Sequence, residues 1–232
     1  MSLPAVRFAE LGVATTYEAA GREGLVAGAF VRVVPGSRAA GPARTAVCGV
    51  NDNLAAHRVL DTVQPGEVVV LAAPEPWSAA LVGELLALQV RTRGAAALLV
   101  EGAVRDVDEL VALGLPIWAR TVCAAGAAKD EPGELGVPVT VGGVLIESGD
   151  LVVLDGDGAA VVPRARCSEV LAASEARHAS ELDLRARLAA GESTLDAMGL
   201  NRGIGEADTS PYFPALRSGD RGQYAQDRPR RH

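Results

Sequence analysis

The sequence predicts an α/β fold, and three features of its pattern support that prediction. Apolar runs typical of strands alternate with helical stretches through the middle third of the chain, as in a parallel or mixed sheet. Residues 136–163 contain four short β runs separated by GG, SGD and DGDG turns, which indicates antiparallel hairpins. A long amphipathic helix follows over residues 165–193. Because 49% of the residues are hydrophobic and only 3% are aromatic, we expect an aliphatic core.

Each predicted element is bounded by cap or turn residues. A helix over 15–24 begins at a threonine cap and ends at a glycine, and the helix over 51–63 is capped by Asp52 or Asn53. A helix over 75–94 ends at a glycine, and Ser78 is a candidate for its N-cap. The other expected elements are strands over 27–34, 44–50, 66–74, 95–102 and 115–120 and a short helix over 106–114.

The chain contains no internal repeat and no interior linker. We therefore expect a single domain over residues 1–199, which includes the C-terminal helix. The segment 200–232 is rich in Gly, Pro, Asp and Arg, and we expect an irregular tail there.

Composition excludes several classes of protein. The formal charge of −7 argues against nucleic-acid binding. No apolar run reaches the length of a membrane span, and the N-terminus lacks the pattern of a signal peptide. The three cysteines are far apart and form no disulfide or metal-binding pattern, which favours a reducing, cytoplasmic location.

Arg105 and Asp106 are the first candidates for a functional site. They follow a buried strand directly, and open α/β sheets place their sites at the carboxyl ends of strands. Arginine offers a planar fork for carboxylate or keto oxygens, and aspartate offers a hard oxygen ligand for Mg²⁺ or Mn²⁺. The competing interpretation is that Asp106 caps the following helix and Arg105 is solvated.

A second candidate site begins at Glu84. A helix that started here would present free N–H groups at Leu85 and Leu86, which bind anions. If the helix starts at Ser78 instead, those amides are already bonded and Glu84 is an ordinary surface residue. Lys129 is either a substrate contact in a loop or a solvated lysine, and the sequence leaves both interpretations open.

Together these motifs resemble one known family. Glu84 is separated by twenty residues from the Arg-Asp pair, and the block VPVTVGGVLIESGDLVVLDGDGAAVVP and the segment RLAAGESTLDAMGL follow. This arrangement resembles the RraA-like family, which includes class II pyruvate aldolases acting on 4-hydroxy-4-methyl-2-oxoglutarate and 4-carboxy-4-hydroxy-2-oxoadipate. The resemblance implies an α-β-β-α sandwich of the swivelling β/β/α type with a C-terminal helical arm. It also implies homotrimers or hexamers with sites between subunits.

The resemblance implies a role for each matching residue. Asp106 would bind a divalent metal, Mg²⁺ or Mn²⁺, together with water ligands, and Glu84 would act through those waters. Arg105 would contact the substrate. The amides of Leu85 and Leu86 would hold the pyruvyl carboxylate.

Two further positions follow from the same resemblance. The anion-binding helix would start near Gly83, so this glycine would also contact the substrate. Glu181, on the C-terminal helix, would enter the site of a neighbouring subunit. The competing interpretation of Glu181 is a surface ion pair with Arg185, four residues later.

The implied activity is metal-dependent cleavage of a 4-hydroxy-2-keto acid to pyruvate through a metal-stabilised enolate. Oxaloacetate decarboxylation is expected too, because it passes through the same enolate. A different physiological 2-keto acid is an open alternative, since Glu84 and Glu101 stand where the family more commonly has aspartate. The alternative from another class is a non-catalytic regulator that binds a protein partner such as an RNA-degradation enzyme.

Overall fold

The computed structural model describes residues 3–200. Its helices are α1 (Leu3–Ala19), α2 (Leu54–Val59), α3 (Glu84–Thr92), α4 (Val107–Leu113), α5 (Cys167–Ala189) and α6 (Thr194–Ala197). Its strands are β1 (Val31–Arg32), β2 (Ala39–Val47), β3 (Val68–Ala72), β4 (Ala80–Val82), β5 (Ala97–Val104), β6 (Ile117–Val122), β7 (Glu134–Leu135), β8 (Val139–Val141), β9 (Val144–Ile146), β10 (Leu151–Asp155) and β11 (Gly158–Val162).

One mixed sheet contains nine of these strands. Its main order is β1-β6-β5-β3-β2-β10-β11, with β4 paired to β5 and β7 paired to β2. Strands β2, β3, β5 and β6 are parallel to one another. At the two ends of the sheet, β1 is antiparallel to β6, and β10 is antiparallel to both β2 and β11. Strands β8 and β9 form a separate hairpin. The predicted α/β class, with an antiparallel block after residue 136, is confirmed.

The core consists of layers on either side of the parallel strands. Helices α2, α3 and α4 pack on one face through residues such as Leu60, Val90 and Leu110. The β8–β9 hairpin and strands β10 and β11 cover the other face, and Trp118 is buried there. Helix α1 packs on the outer side of β10 and β11. This succession of helix, strand, strand and helix layers is the predicted sandwich.

Helix α1 differs from the prediction. The expected helix over 15–24 is only the end of a helix that begins at Leu3 and bends at Gly12, where φ is 83°. Beyond the bend, the Val13 N–H donates to Asp155 Oδ2 at 3.0 Å. A side chain at Gly12 would come within 2.6 Å of the same oxygen, so glycine is required by both its φ and the available space.

The predicted helix over 75–94 is also wrong in its first half. Residues Ala80–Val82 form strand β4 beside β5, and helix α3 begins only at Glu84. Ser78 is not a helix cap, because β4 follows it and Gly83 is the N-cap of α3; its N–H donates to Asn51 Oδ1 at 3.0 Å. The start of α3 therefore lies where the family resemblance requires it.

Two compact units can be distinguished within the chain. The first comprises residues 1–175 and contains every strand, and the second begins at Ala176. In the second unit, the hydroxyl of Ser193 caps α6 by accepting the Asp196 N–H. Residues 201–232, the greater part of the expected tail, lie outside the described residues. No helix among residues 3–200 has the length and hydropathy needed to cross a bilayer.

Candidate active site

Asp106 lies at the carboxyl end of β5 in an unusual backbone conformation. Its φ of 60° and ψ of 45° place it in the left-handed region, which aspartate tolerates better than most residues. The Asp106 side chain does not cap α4, the helix it precedes. Its Oδ2 instead accepts the Glu84 N–H at 3.0 Å, at the start of α3. The capping interpretation is therefore wrong, and the carboxylate connects two neighbouring strand ends.

Arg105 lies beside this carboxylate. Its N–H donates to the carbonyl of Val82, which fixes its backbone to the end of β4. Its Nε is 3.6 Å from Asp106 Oδ2, and both side chains are about two-fifths exposed. Because Asp106 has already accepted the Glu84 amide and lies near a guanidinium, its charge is partly compensated while it stays open to solvent.

The start of α3 forms the floor of the same site. The Leu85 and Leu86 amides, in the first turn of a helix, have no intrahelical acceptor and carry the positive end of the helix dipole. Gly83 precedes them in an extended conformation. A Cβ at Gly83 would come within 2.5 Å of Asp106 Oδ2 and 3.0 Å of Arg105 Nε, so only glycine leaves room for the pair.

A cavity of about 420 Å³ opens over these groups. Its second wall comes from α2 and from the loop after β6. The lining residues are Asn53, His57, Gly83, Glu84, Leu85, Leu86, Arg105, Asp106 and Lys129. Six predicted positions, 83–86, 105 and 106, therefore meet in one cavity, and Lys129 lies there too.

The second wall has distinct electrostatic properties. Burial and then the nearby charge of Lys129 lower the pKa of His57 below its ordinary value, so its imidazole is neutral at pH 7. Asn53 is only 8% exposed, and its Nδ2 donates to the Leu81 carbonyl at 2.8 Å. Its Oδ1 is buried without a hydrogen-bond partner among the described residues, which leaves an acceptor for a ligand donor.

The donor set suits a hard, hydrated cation more than a protein-caged metal. No group of three or more His, Cys, Asp or Glu side chains with metal-binding geometry occurs in the part of the chain that the structure describes. Mg²⁺ is commonly bound by one or two carboxylates and keeps several waters or substrate oxygens. Asp106, solvent-accessible at the cavity and fixed by the Glu84 amide, fits that role.

Comparison with known proteins identifies the family. Residues 13–161 match the family described as RraA-like, Aldolase/RraA. The chain belongs to the RraA-like family. Its sequence is 36% identical over 141 residues to a Halalkalibacterium halodurans protein with the provisional name 4-hydroxy-4-methyl-2-oxoglutarate aldolase. That match covers 61% of this chain and 67% of the relative.

Solved structures share the fold. Streptomyces coelicolor RraAS2, described as an unusual member of the RNase ES inhibitor RraA protein family, matches with a TM-score of 0.71 and 29% identity. The match covers 80% of this chain and 96% of that one. An uncharacterised Pseudomonas syringae protein matches with a TM-score of 0.77 at 24% identity over 86% and 95% of the two chains.

Two charged residues discussed from the sequence have other local contacts. Glu181 lies in the unit that begins at Ala176, where its Oε1 is 3.0 Å from the Nε of Arg177, four residues earlier. The competing interpretation of Glu181 was a surface ion pair with Arg185, and its choice of partner is therefore wrong. Glu101 forms a shielded ion pair with Arg120 at 2.7 Å and does not line the cavity, so this departure from the family pattern lies outside it.

Sequence analysis missed Asn53 and His57 as site residues. Asn53 is the N-cap of α2 and His57 lies four residues later, so the two side chains share a helix face. Because α2 also contains Arg58, no local pattern singled them out. What the sequence could not show is that this face of α2 lies opposite the start of α3.

Proposed function

We propose that this RraA-like protein is a divalent-metal-dependent lyase that cleaves a 4-hydroxy-2-keto acid to pyruvate and a second carbonyl compound. Oxaloacetate decarboxylation belongs to the same proposal. The observation that carries it is the meeting of a helix start, a guanidinium and an accessible carboxylate in one cavity of about 420 Å³. The provisional aldolase name of the Halalkalibacterium relative supports the same reaction class.

The keto-acid end of the substrate binds at the start of α3. The Leu85 and Leu86 amides donate to its carboxylate, and the helix dipole favours the negative charge there. Arg105 lies beside them and directs fixed positive charge at the keto oxygen. Asp106 would hold Mg²⁺ or Mn²⁺, which when bound supplies Lewis-acid polarisation of the keto acid.

Cleavage breaks the O–H bond of the 4-hydroxyl and the C3–C4 bond, and it forms the C4 carbonyl and a new C3–H bond. The 4-hydroxyl loses its proton, and C4 becomes a carbonyl as the C3–C4 bond breaks. The electrons of the C3–C4 bond form the enolate, so negative charge moves onto the keto oxygen. Arg105 stabilises the charge that grows on that oxygen. C3 then takes a proton to give pyruvate. Glu84 handles these protons through a water at the cavity, and Glu181 of another subunit contributes a second carboxylate.

The second wall receives the distal end of the substrate. The Asn53 Oδ1 acceptor suits a hydroxyl group, and Lys129 suits a distal carboxylate. The assembly that we propose is a homotrimer or hexamer in the cytoplasm. Analytical ultracentrifugation of the purified protein measures the first of these properties.

The decisive experiment measures pyruvate release from 4-hydroxy-4-methyl-2-oxoglutarate with a coupled lactate dehydrogenase assay. We expect turnover with Mg²⁺ or Mn²⁺, none after chelation with EDTA, and recovery when metal is added back. Oxaloacetate under the same conditions tests the decarboxylase activity. A panel of other 4-hydroxy-2-keto acids extends the test to the substrate class, and no pyruvate from oxaloacetate or from any member of that panel at any metal concentration would contradict the proposal.

The rival function is inhibition of an RNA-degradation enzyme, as the description of the Streptomyces relative states for its family. A regulator needs an intact surface but no chemistry in the cavity. Inhibition of RNase E-type cleavage that survives loss of the Asp106 carboxylate, together with absent lyase activity, would favour the rival.

A further inference from the structure

The loop that carries Lys129 is held without side-chain burial. From Cys123 to Pro138 every side chain is at least partly exposed. Polar contacts therefore fix the loop: the Asn53 N–H donates to the Ala128 carbonyl at 3.0 Å, and the Ala128 N–H donates to Asn51 at 2.9 Å. Both contacts join the loop to the start of α2.

Asp52 adds the one buried anchor of this junction. It is only 1% exposed, and its Oδ2 accepts the N–H groups of Asp130 at 2.6 Å and Glu131 at 3.1 Å. Its Oδ1 accepts the Leu54 N–H at 2.9 Å in the first turn of α2. Burial acts to raise the pKa of Asp52, but these three donors and the charge of Lys129 outweigh it, so the pKa is lowered and the carboxylate stays ionised.

From this arrangement we infer that Asp52 is a positioning residue of the active site. Its carboxylate binds the two amides that follow Lys129 and, with the same group, the start of the helix that carries Asn53 and His57. The buried Asp52 side chain therefore sets the distance of Lys129 from Asn53 and His57. The inference rests on the proposed function only in taking this cavity as the active site.

A built-in probe makes the positioning measurable without substrate. Lys129 is the only lysine among the 232 residues, so reductive methylation with ¹³C-formaldehyde gives one lysine signal besides that of the terminal amine. The methylated amine keeps its positive charge. Its chemical shift and line width report the surroundings of Lys129 directly.

A matched pair of variants separates positioning from stability. Asp155 is also buried, and it also accepts one N–H two residues later, from Asp157, and one from a distant segment, at Val13. Serine at either position keeps an oxygen that can accept the N–H two residues later. Its shorter side chain cannot reach the N–H groups of the distant segment. Both Asp52→Ser and Asp155→Ser should lower the Tm, but only Asp52→Ser should move the Lys129 signal.

Kinetics supply the second measurement. We expect Asp52→Ser to raise KM by roughly ten-fold with a smaller change in kcat, because a displaced Lys129 weakens ground-state binding. In a Lys129→Met background the same change should cost less than about two-fold, since residues that act through one another are non-additive. If the chain releases no pyruvate, the proposed function fails, and the Lys129 signal still decides the role of Asp52.

The opposite results would overturn the inference. They are an unshifted Lys129 signal in folded Asp52→Ser protein, a shift of equal size in Asp155→Ser, or a full KM penalty that persists without Lys129. Should Asp52→Ser not fold, Asp52→Asn fills the same volume with one acceptor oxygen fewer. It is expected to move the signal in the same direction, and an unchanged signal there would equally contradict the positioning role.

Discussion

At the scale of single residues, the backbone and the side chain of Asp106 have separate roles. Its backbone turns the chain from β5 into α4, whereas its side chain accepts the first amide of α3. A substitution must therefore respect the left-handed φ before it can test the carboxylate. Alanine at this position adds backbone strain of about 1 kcal/mol to any chemical effect, whereas asparagine tolerates the conformation.

We predict that Asp106→Asn lowers metal-dependent turnover by roughly 10²-fold or more, since it removes the only charge proposed to hold the metal. The Tm should fall only slightly, because asparagine can still accept the Glu84 amide. Pyruvate release across a Mg²⁺ titration measures the first effect. Asp108→Asn removes the same charge from an exposed position two residues later and should behave as wild type. Near-normal turnover in folded Asp106→Asn would contradict the metal role.

Substitution of Arg105 tests whether activity depends on the planar geometry of its guanidinium or only on its charge. Lysine keeps the positive charge but not the planar fork, so we predict that Arg105→Lys loses roughly 10²-fold in kcat/KM. The matched control is Arg91→Lys, at the other end of α3, where the arginine donates to the Leu113 carbonyl at 2.6 Å. That variant should keep its activity. Activity within a few-fold of wild type in Arg105→Lys would reduce Arg105 to a general positive charge.

At the scale of elements, the start of α3 decides whether the site exists. Gly83 has an extended backbone that any residue can adopt, so its role is to leave space and not to permit a rare φ. We predict that Gly83→Ala folds normally but loses most of its turnover, because the new methyl displaces Asp106 and Arg105.

Circular dichroism and pyruvate release together measure the two halves of that prediction. Gly156→Ala is the control, since its methyl would meet only the flexible end of Arg32, at 3.2 Å. A fully active Gly83→Ala protein would show that the pair can move without loss, and that the close approach seen here is not needed for function.

Elements also show where sequence reasoning works and where it stops. Period and turn residues correctly placed the central strands and the hairpin block, because local side-chain alternation determines them. They failed at β4, where the short segment Ala80–Val82 continues a helical pattern and becomes a strand only by pairing with β5. They also failed at α1, whose bend depends on Asp155, far away in the chain. Asn53 and His57 were missed for the same reason, since packing alone brings α2 opposite α3.

At the scale of the whole molecule, the cavity combines four chain segments that no local pattern links, and α2 is one of them. The start of α3, the end of β5 and the loop after β6 belong to neighbouring strands of one sheet, so the topology places them at one edge. The second unit of the chain carries Glu181, which the family resemblance would assign to a neighbouring subunit's site.

We predict that Glu181→Gln loses at least roughly ten-fold in turnover as a shared-site proton carrier, although its local contact is only an ion pair with Arg177. Loss of that half-buried i,i+4 pair alone should cost a few tenths of a kcal/mol in stability. Glu169→Gln is the control, because Glu169 lies on the same helix and its Oε1 is 3.2 Å from the guanidinium of Arg166, just before that helix. Equal turnover in the two variants would make Glu181 a surface residue.

Complementation between subunits provides the stricter test of the same prediction. Glu181→Gln and Asp106→Asn chains, co-expressed with different tags and purified together, should show a higher turnover than either variant alone. In a random trimer, about a quarter of the sites would combine an intact Asp106 with an intact Glu181 from the neighbour. If the mixed oligomers stay as inactive as the parent variants, Glu181 does not act across the subunit boundary.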